Sequence, residues 1–330
     1  MRYLTILFFI SYLFSTGKYG DAFLNLGTSA RNLGLGQAVI ADMGNPTGFY
    51  ISPASISSIK NRVFSLLVVN QFNLAEYSSI SIATPLKNQQ YVSFNFSGLI
   101  VDDIQVRPDL GLIGSLEARR DSIRNLFNNG YEVFEDLEIS FTSTYSKLYN
   151  GEINLGLNYL PFEAPIGANI KMIKKELNNR DAVGIGIDIG GMFSFSLSDV
   201  FSFWNLGRFS AGMSINNIAG THLIWSNNLK DVIPMQFLYG FSYDHPIKLI
   251  DTNILFLTQQ NNLFPNQLQY GMELKIRKKL YIRLGNYANT YQGGIGFMTK
   301  FKKVKELRLD YGFGDHELGG AHRIGMELQF

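Results

Sequence analysis

Ala321-His322-Arg323-Ile324-Gly325-Met326-Glu327-Leu328-Gln329-Phe330 is the stretch that decides the fold. Side chains along a strand alternate between two faces. Ile324, Met326, Leu328 and Phe330 therefore share one face, and Arg323, Glu327 and Gln329 the other. Soluble sandwiches contain such strands too, but an aromatic as the last residue, with nothing polar behind it, suits the closing strand of an outer-membrane barrel. Its apolar face then meets lipid and its polar face the lumen.

Working back from this strand, the same alternation marks fourteen segments. They are Arg62 to Phe72, Tyr77 to Pro85, Tyr91 to Val101, Glu138 to Tyr149, Ile166 to Glu176, Val183 to Phe195, Phe209 to Asn217, Met235 to Tyr243, Thr252 to Leu257, Gln267 to Ile276, Leu280 to Tyr287, Tyr291 to Phe301, Glu306 to Phe313 and Ala321 to Phe330. An even number returns both ends of the barrel to one side of the membrane. Pro85 to Gln90, Arg277-Lys278-Lys279 and Lys302 to Lys305 read as tight periplasmic turns, and Asp102 to Leu137, Ile218 to Pro234 and Gly314 to Gly320 as outer loops. Asn150 to Pro165 is too long for the periplasmic turn it should be, and Ile153 to Tyr159 within it has the pattern of a further strand.

Composition supports this reading. Charged residues make up 17% of the 330, below the roughly 25% of soluble domains, and mean hydropathy is +0.02. The apolar run from Tyr3 to Phe14 behind Arg2, followed by Ser15-Thr16-Gly17, reads as a secretory signal peptide, residues 1–17. It falls short of the roughly 20 apolar residues a spanning helix needs. No other run approaches that length, which excludes a helical membrane protein. The absence of Cys excludes a disulfide framework and thiolate metal sites. A net charge of +2 gives no reason to expect a nucleic-acid partner.

Residues 18–60 are not strand-like. Phe23 to Gly36 is small and Gly-rich, with Thr28 or Ser29 placed to cap a short helix, and Ser52-Pro53 has a proline just after a candidate cap. Such compact backbone ahead of a barrel (61–330) reads as a plug folded into the lumen. Phe23-Leu24-x-x-Gly27-x-x-Ala30-Arg31-x-x-Gly34-x-Gly36-x-Ala38, followed by Tyr50-Ile51-Ser52-Pro53-Ala54, resembles the opening of the PorV/PorQ family of FadL-like outer-membrane barrels. Phe209 to Gly220 and Leu318-Gly319-Gly320-Ala321-His322-Arg323-Ile324 are similar to that family's mid-barrel and closing strands. The family usually has Asn where this chain has Ser52, although Ser also serves as a cap.

The resemblance implies a bacterial outer-membrane protein that acts as a non-enzymatic accessory of type IX protein secretion. It would bind the translocon or the C-terminal signal domains of exported cargo. The alternative, from FadL-like relatives, is a transporter or channel for hydrophobic small molecules, with an apolar pocket beside the plug and a strand kink opening sideways. Leu126, Phe127, Leu223, Ile224 and Trp225 on outer loops are the candidate partner or ligand contacts, and Phe23, Leu24, Arg31, Ser52 and Pro53 the candidate plug residues. Within the largest outer loop, Leu112 to Phe127 has helical spacing and reads as a lid on the barrel mouth or as a docking element.

No catalytic constellation stands out, and neither enzyme activity nor a cofactor is expected. Asp315-His316-Glu317 with His322 lacks the spacing of a metal site. Gly184-x-Gly186-x-x-x-Gly190-Gly191 and Gly294-x-Gly296 open no helix after a buried strand, so they read as barrel glycines that permit bending or close luminal packing. Lys171-x-x-Lys174-Lys175 reads as a solvated loop end, and Trp204 and Trp225 as part of an interfacial girdle.

Overall fold

The computed structural model describes residues 23–71, 74–106, 114–154, 156, 159–201, 206–301, 304–315 and 320–330. The signal peptide expected at 1–17 lies outside them. The strands are β1 (Val63–Gln71), β2 (Ala75–Pro85), β3 (Gln90–Gln105), β4 (Val133–Asn154), β5 (Tyr159–Leu177), β6 (Arg180–Ser196), β7 (Arg208–Asn216), β8 (Thr221–Trp225), β9 (Lys230–Ile233), β10 (Gln236–Ile247), β11 (Thr252–Asn261), β12 (Gln269–Ile276), β13 (Leu280–Tyr287), β14 (Thr290–Phe301), β15 (Val304–Gly314) and β16 (Ala321–Gln329).

Fourteen of them close an antiparallel barrel in which β1 pairs with β16. The other two, β8 and β9, continue β7 and β10 beyond a break in register. All fourteen segments expected from alternation are barrel strands. The region from Asn150 to Pro165 adds no strand. It is the end of a single long hairpin, because β4 and β5 keep one unbroken register from Asp136 opposite Leu177 to Asn154 opposite Tyr159.

Alternation sorts the wall into two environments. Ile80, Ile82, Phe94, Phe96, Ile185, Ile187, Leu309 and Ile324 are exposed on the outside, whereas Ser79, Ser81, Asn95, Ser97, Ser140, Thr142 and Asn169 are buried on the inside. No helix among the described residues is long and apolar enough to cross a membrane, so the strands do so. A closed barrel leaves no unpaired edge in lipid, and this one, with its apolar exterior, is a bacterial outer-membrane barrel.

The barrel's first and last strands begin and end on one side, which is the periplasmic one. The longest connection, from β3 to β4, lies opposite and carries α2 (Leu116–Asn129), capped by Ser115 Oγ accepting from Ala118 N at 3.1 Å. No residue of α2 is buried. The helix expected in this loop forms, with Leu116, Ile123 and Phe127 exposed and Leu126 half-buried.

Placing a guanidinium at mid-depth on the lipid face should cost ~2–4 kcal/mol. Ile324, 65% exposed near the middle of β16, provides the test. Ile324→Arg is expected to lower the urea midpoint of the barrel refolded in phospholipid vesicles. An unchanged midpoint would contradict the assignment of this face to lipid.

The plugged lumen as candidate functional site

Residues 23–59 lie inside the barrel, and much of this segment is buried. Ser29 caps α1 (Ala30–Gly34), its Oγ accepting from Asn32 N at 3.1 Å. Thr28 Oγ1 donates to Thr47 O at 2.5 Å, and Asn45 Nδ2 donates to Asn32 Oδ1 at 2.9 Å, so the segment satisfies many of its own polar groups. Wall glycines let plug backbone approach. A Cβ on Gly285 of β13 would stand 2.3 Å from Gly36 N, and one on Gly212 of β7 2.3 Å from Ile40 O.

Pro53 begins a 3₁₀ turn, Pro53–Ile56, against Gly167 and Gly190. Ser52 occupies the cap position, but its buried Oγ has no hydrogen-bond partner. The capping role expected of it is thus not performed, because Oγ is packed against Gly190 instead.

Arg31 joins plug to wall. Its Nη1 lies 2.5 Å from Asp42 within the plug, while Nε and Nη2 each donate to Glu273 of β12 at 3.0 Å. Arg283 of β13 then contacts Glu273 at 2.5 Å and Asp310 of β15 at 2.6 Å. Arg308 links Asp310, at 2.8 Å, to Glu327 of β16. Burial opposes the charge on Arg31, yet Asp42 and Glu273 more than offset this and hold its pKa well above the ordinary arginine value. Gly296 of β14 leaves room for the ladder, since a Cβ there would fall 2.2 Å from Asp310 Oδ1.

On the opposite wall the ladder of strands is interrupted. Six residues of β6, from Ile189 to Gly184, are matched by nine on its neighbour, from Ile215 to Leu223. The surplus is taken up at 217–220, where Asn217, Ala219 and Gly220 all have positive φ. For Ala219 this backbone is unfavourable. Polar side chains hold it: Asn217 N donates to Asp188 Oδ1 at 2.8 Å, and Lys171 Nζ donates to Asn217 Oδ1 at 2.7 Å and pairs with Asp188 at 2.8 Å. Asn216 Nδ2 reaches the plug carbonyls of Ile51 and Tyr50 at 3.2 and 3.3 Å. Beyond the bulge β9 pairs with β8 and, among the described residues, has no strand on its other edge.

Above the bulge the lumen turns apolar. Leu67, Val69, Tyr77, Ile173, Ala182, Leu223 and Ile233 form one buried cluster with Phe23, Ala30 and Leu33 of the plug, and Leu24, Leu26 and Trp225 pack against it. The plug's first turn thus fills one apolar layer of the lumen, with Lys175 Nζ 5.5 Å over the Phe23 ring, while Leu35, Val39 and Ile40 meet Leu238 and Leu257 of the wall in another. A cavity of about 430 Å³ lies on the periplasmic side, lined by Arg31, Asp42, Asp244, Lys275 and Arg308 among others. Another of about 450 Å³ lies on the outer side, lined by Leu26, Gln71, Tyr287 and Arg323 among others. Among the described residues the two share none of their lining.

Phe23, Leu24, Arg31, Ser52 and Pro53 lie in the luminal segment 23–59. The outer-loop candidates separate. Phe127 on α2 is 81% exposed and Ile224 is exposed, while Leu126 is half-buried. Leu223 is corrected: the strand turns it inward, where it is fully buried. Trp225 shares that inward parity and donates Nε1 to Asp231 at 2.7 Å, so it is not a girdle residue; Trp204 lies outside the described residues. His316 and Glu317 lie outside them as well. Lys171 and Lys175 are corrected from loop end to mid-strand, where they point into the lumen and pair with Asp188 and Glu138. Their spacing, opposite in parity to Ile170 and Met172, was the available signal.

Removing one partner of a buried ion pair costs ~3–5 kcal/mol. Because Glu273 keeps Arg283, Arg31→Ala should fall at the low end of that range, near ~3 kcal/mol. The expected outcome is faster amide exchange across 30–48 with unchanged protection in β1 to β6. Arg31→Lys should do little better, since one ammonium cannot bridge both carboxylates as a guanidinium fork does. Unchanged plug protection would contradict the assigned role.

No protein-family model and no curated protein sequence matches the chain. Among solved structures it is similar to the P. putida toluene transporter TodX (10% identity, 92% of this chain and 98% of that one, TM-score 0.47). It is also similar to the Ralstonia pickettii toluene transporter TbuX (10%, 92% and 97%, 0.43) and the CymD monoaromatic hydrocarbon channel (8%, 92% and 98%, 0.36).

Proposed function

We propose that this barrel is a FadL-like transporter that admits hydrophobic small molecules across the outer membrane. The observation that carries this reading is the apolar layer beside the wall interruption, filled by the chain's own Phe23, Leu24 and Leu26. Leu67, Ile173, Leu223 and Ile233 pack directly on this turn, and a short apolar turn is the kind of occupant that an apolar ligand replaces. The polar bonds at Asn216 and Asn217 couple the interruption to the plug, which gives an entering molecule a route to both.

The accessory role in protein secretion, with translocon or cargo as partners, keeps one observation in its favour: Phe127 points outward from α2. It loses Leu223 as a docking residue.

Trp225 borders the apolar layer and reports on it in a Trp204→Phe background. In nanodiscs, 1-bromododecane is expected to quench it saturably, after subtraction of partition into protein-free discs. Phe23→Ala with Leu24→Ala removes the competing occupant. Since a buried aromatic contributes ~1.5–3 kcal/mol, the apparent affinity should tighten about tenfold or more. Linear, unsaturable quenching in both proteins would overturn the transporter reading.

A further inference from the structure

The β4–β5 hairpin runs past the rest of the wall on the periplasmic side. β3 begins at Gln90, opposite Lys147, so among the described residues no strand pairs with β4 on that side from Leu148 to Asn154. At about 3.3 Å per residue this free edge is roughly 20 Å long. Leu148 donates its N–H to Gln89 O at 2.9 Å, which fixes the direction of the backbone groups. They alternate along a strand, so those of Asn150, Glu152 and Asn154 point out from the free edge.

The hairpin's two edges are treated differently. Pro161 of β5 is opposite Glu152 and Pro165 is opposite Leu148, and neither has an N–H to offer. Proline, lysine and bulges are the usual means of blocking an edge. From Tyr149 to Asn154 β4 has none of them, and its register carries no bulge.

The side chains indicate what fits. Tyr149 and Ile153 are exposed on one face. On the other a groove of about 480 Å³ is lined by Glu152, Glu163, Asp199 and Arg208 among others. Arg208 is bound to Glu163 at 3.0 Å, whereas Glu152 and Asp199 have no cationic partner among the described residues.

We propose that Tyr149–Asn154 is a docking edge for an extended segment of a periplasmic protein, which adds to β4 as an antiparallel strand with basic residues toward Glu152 and apolar residues toward Tyr149 and Ile153. Strand addition takes its affinity from main-chain hydrogen bonds and its specificity from alternate side chains. A second copy in the same bilayer presents this edge in the same up-down sense. Antiparallel pairing therefore draws its strand from the periplasm.

The test uses the full chain in nanodiscs and a short fluorescein-labelled peptide of alternating lysine and valine, followed by anisotropy. Saturable binding is expected. Glu152→Pro removes an outward N–H without touching the β4–β5 ladder and should weaken binding about tenfold or more. Glu152→Lys keeps the backbone and should weaken it comparably by charge; both variants must retain heat-modifiable barrel migration. A peptide N-methylated at alternate residues should not bind. The proposal is overturned if the wild type does not bind the peptide, or if Glu152→Pro binds it equally well. It is also overturned if Glu152→Pro instead dissociates a dimer of the chain in sedimentation, which assigns the edge to a second copy.

Discussion

A guanidinium carried into a barrel lumen has to find its counter-charges there, and Arg31 finds them on both sides. Asp42 comes with it in the plug, and Glu273 waits on the wall. Because Glu273 is shared with Arg283, and Arg283 with Asp310, the plug's position is tied to a line of charges running from β12 to β16. Each member is desolvated and depends on its neighbours, so the arrangement specifies one docked position more than it adds stability. The glycines of this wall serve the same end. Gly285 admits plug backbone, and Gly296 keeps clear the space that the Arg283–Asp310 bridge crosses.

The opposite wall follows another rule. There the plug is held by Asn216 on the carbonyls of Tyr50 and Ile51, by Asn169 on that of Phe49 and by Lys175 over the Phe23 ring, and the strands themselves lose register. Lys171 and Asp188 spend their charges on holding the bulge rather than on the plug. One side of the lumen is thus locked by ion pairs. The other joins a break in the wall to an apolar layer occupied by a short turn.

Much of this was legible in the sequence, and the reason is geometric. A period of two survives every strand of a barrel with one face in lipid, so the existence of all fourteen strands could be read from residues alone. Facing across an irregularity could not be read. Leu223 turned out to point inward because three extra residues precede it, and no local pattern announces a bulge. Lys171 and Lys175 looked like a solvated basic run because a buried lysine is rare until its carboxylate is known, and Asp188 and Glu138 lie on other strands. The charge ladder was missed for the same reason: Arg31, Glu273, Arg283 and Asp310 are scattered along the chain and meet only when the barrel closes. The length of the β4–β5 hairpin is not legible either, since a sheet that continues past the membrane shows no change in alternation and Ile153 to Tyr159 has the pattern of a separate strand.

The central claim is that the layer above the bulge takes an apolar molecule in place of Phe23–Leu26. Methyl NMR of the full barrel in nanodiscs, titrated with decane, tests it most directly. The account predicts saturable shifts at Leu223, Ile173 and Ile233, with Leu24 and Leu26 moving toward positions typical of an unpacked chain. Shifts confined to lipid-facing methyls such as those of Ile187 and Ile324, with the inner set unmoved, would contradict it.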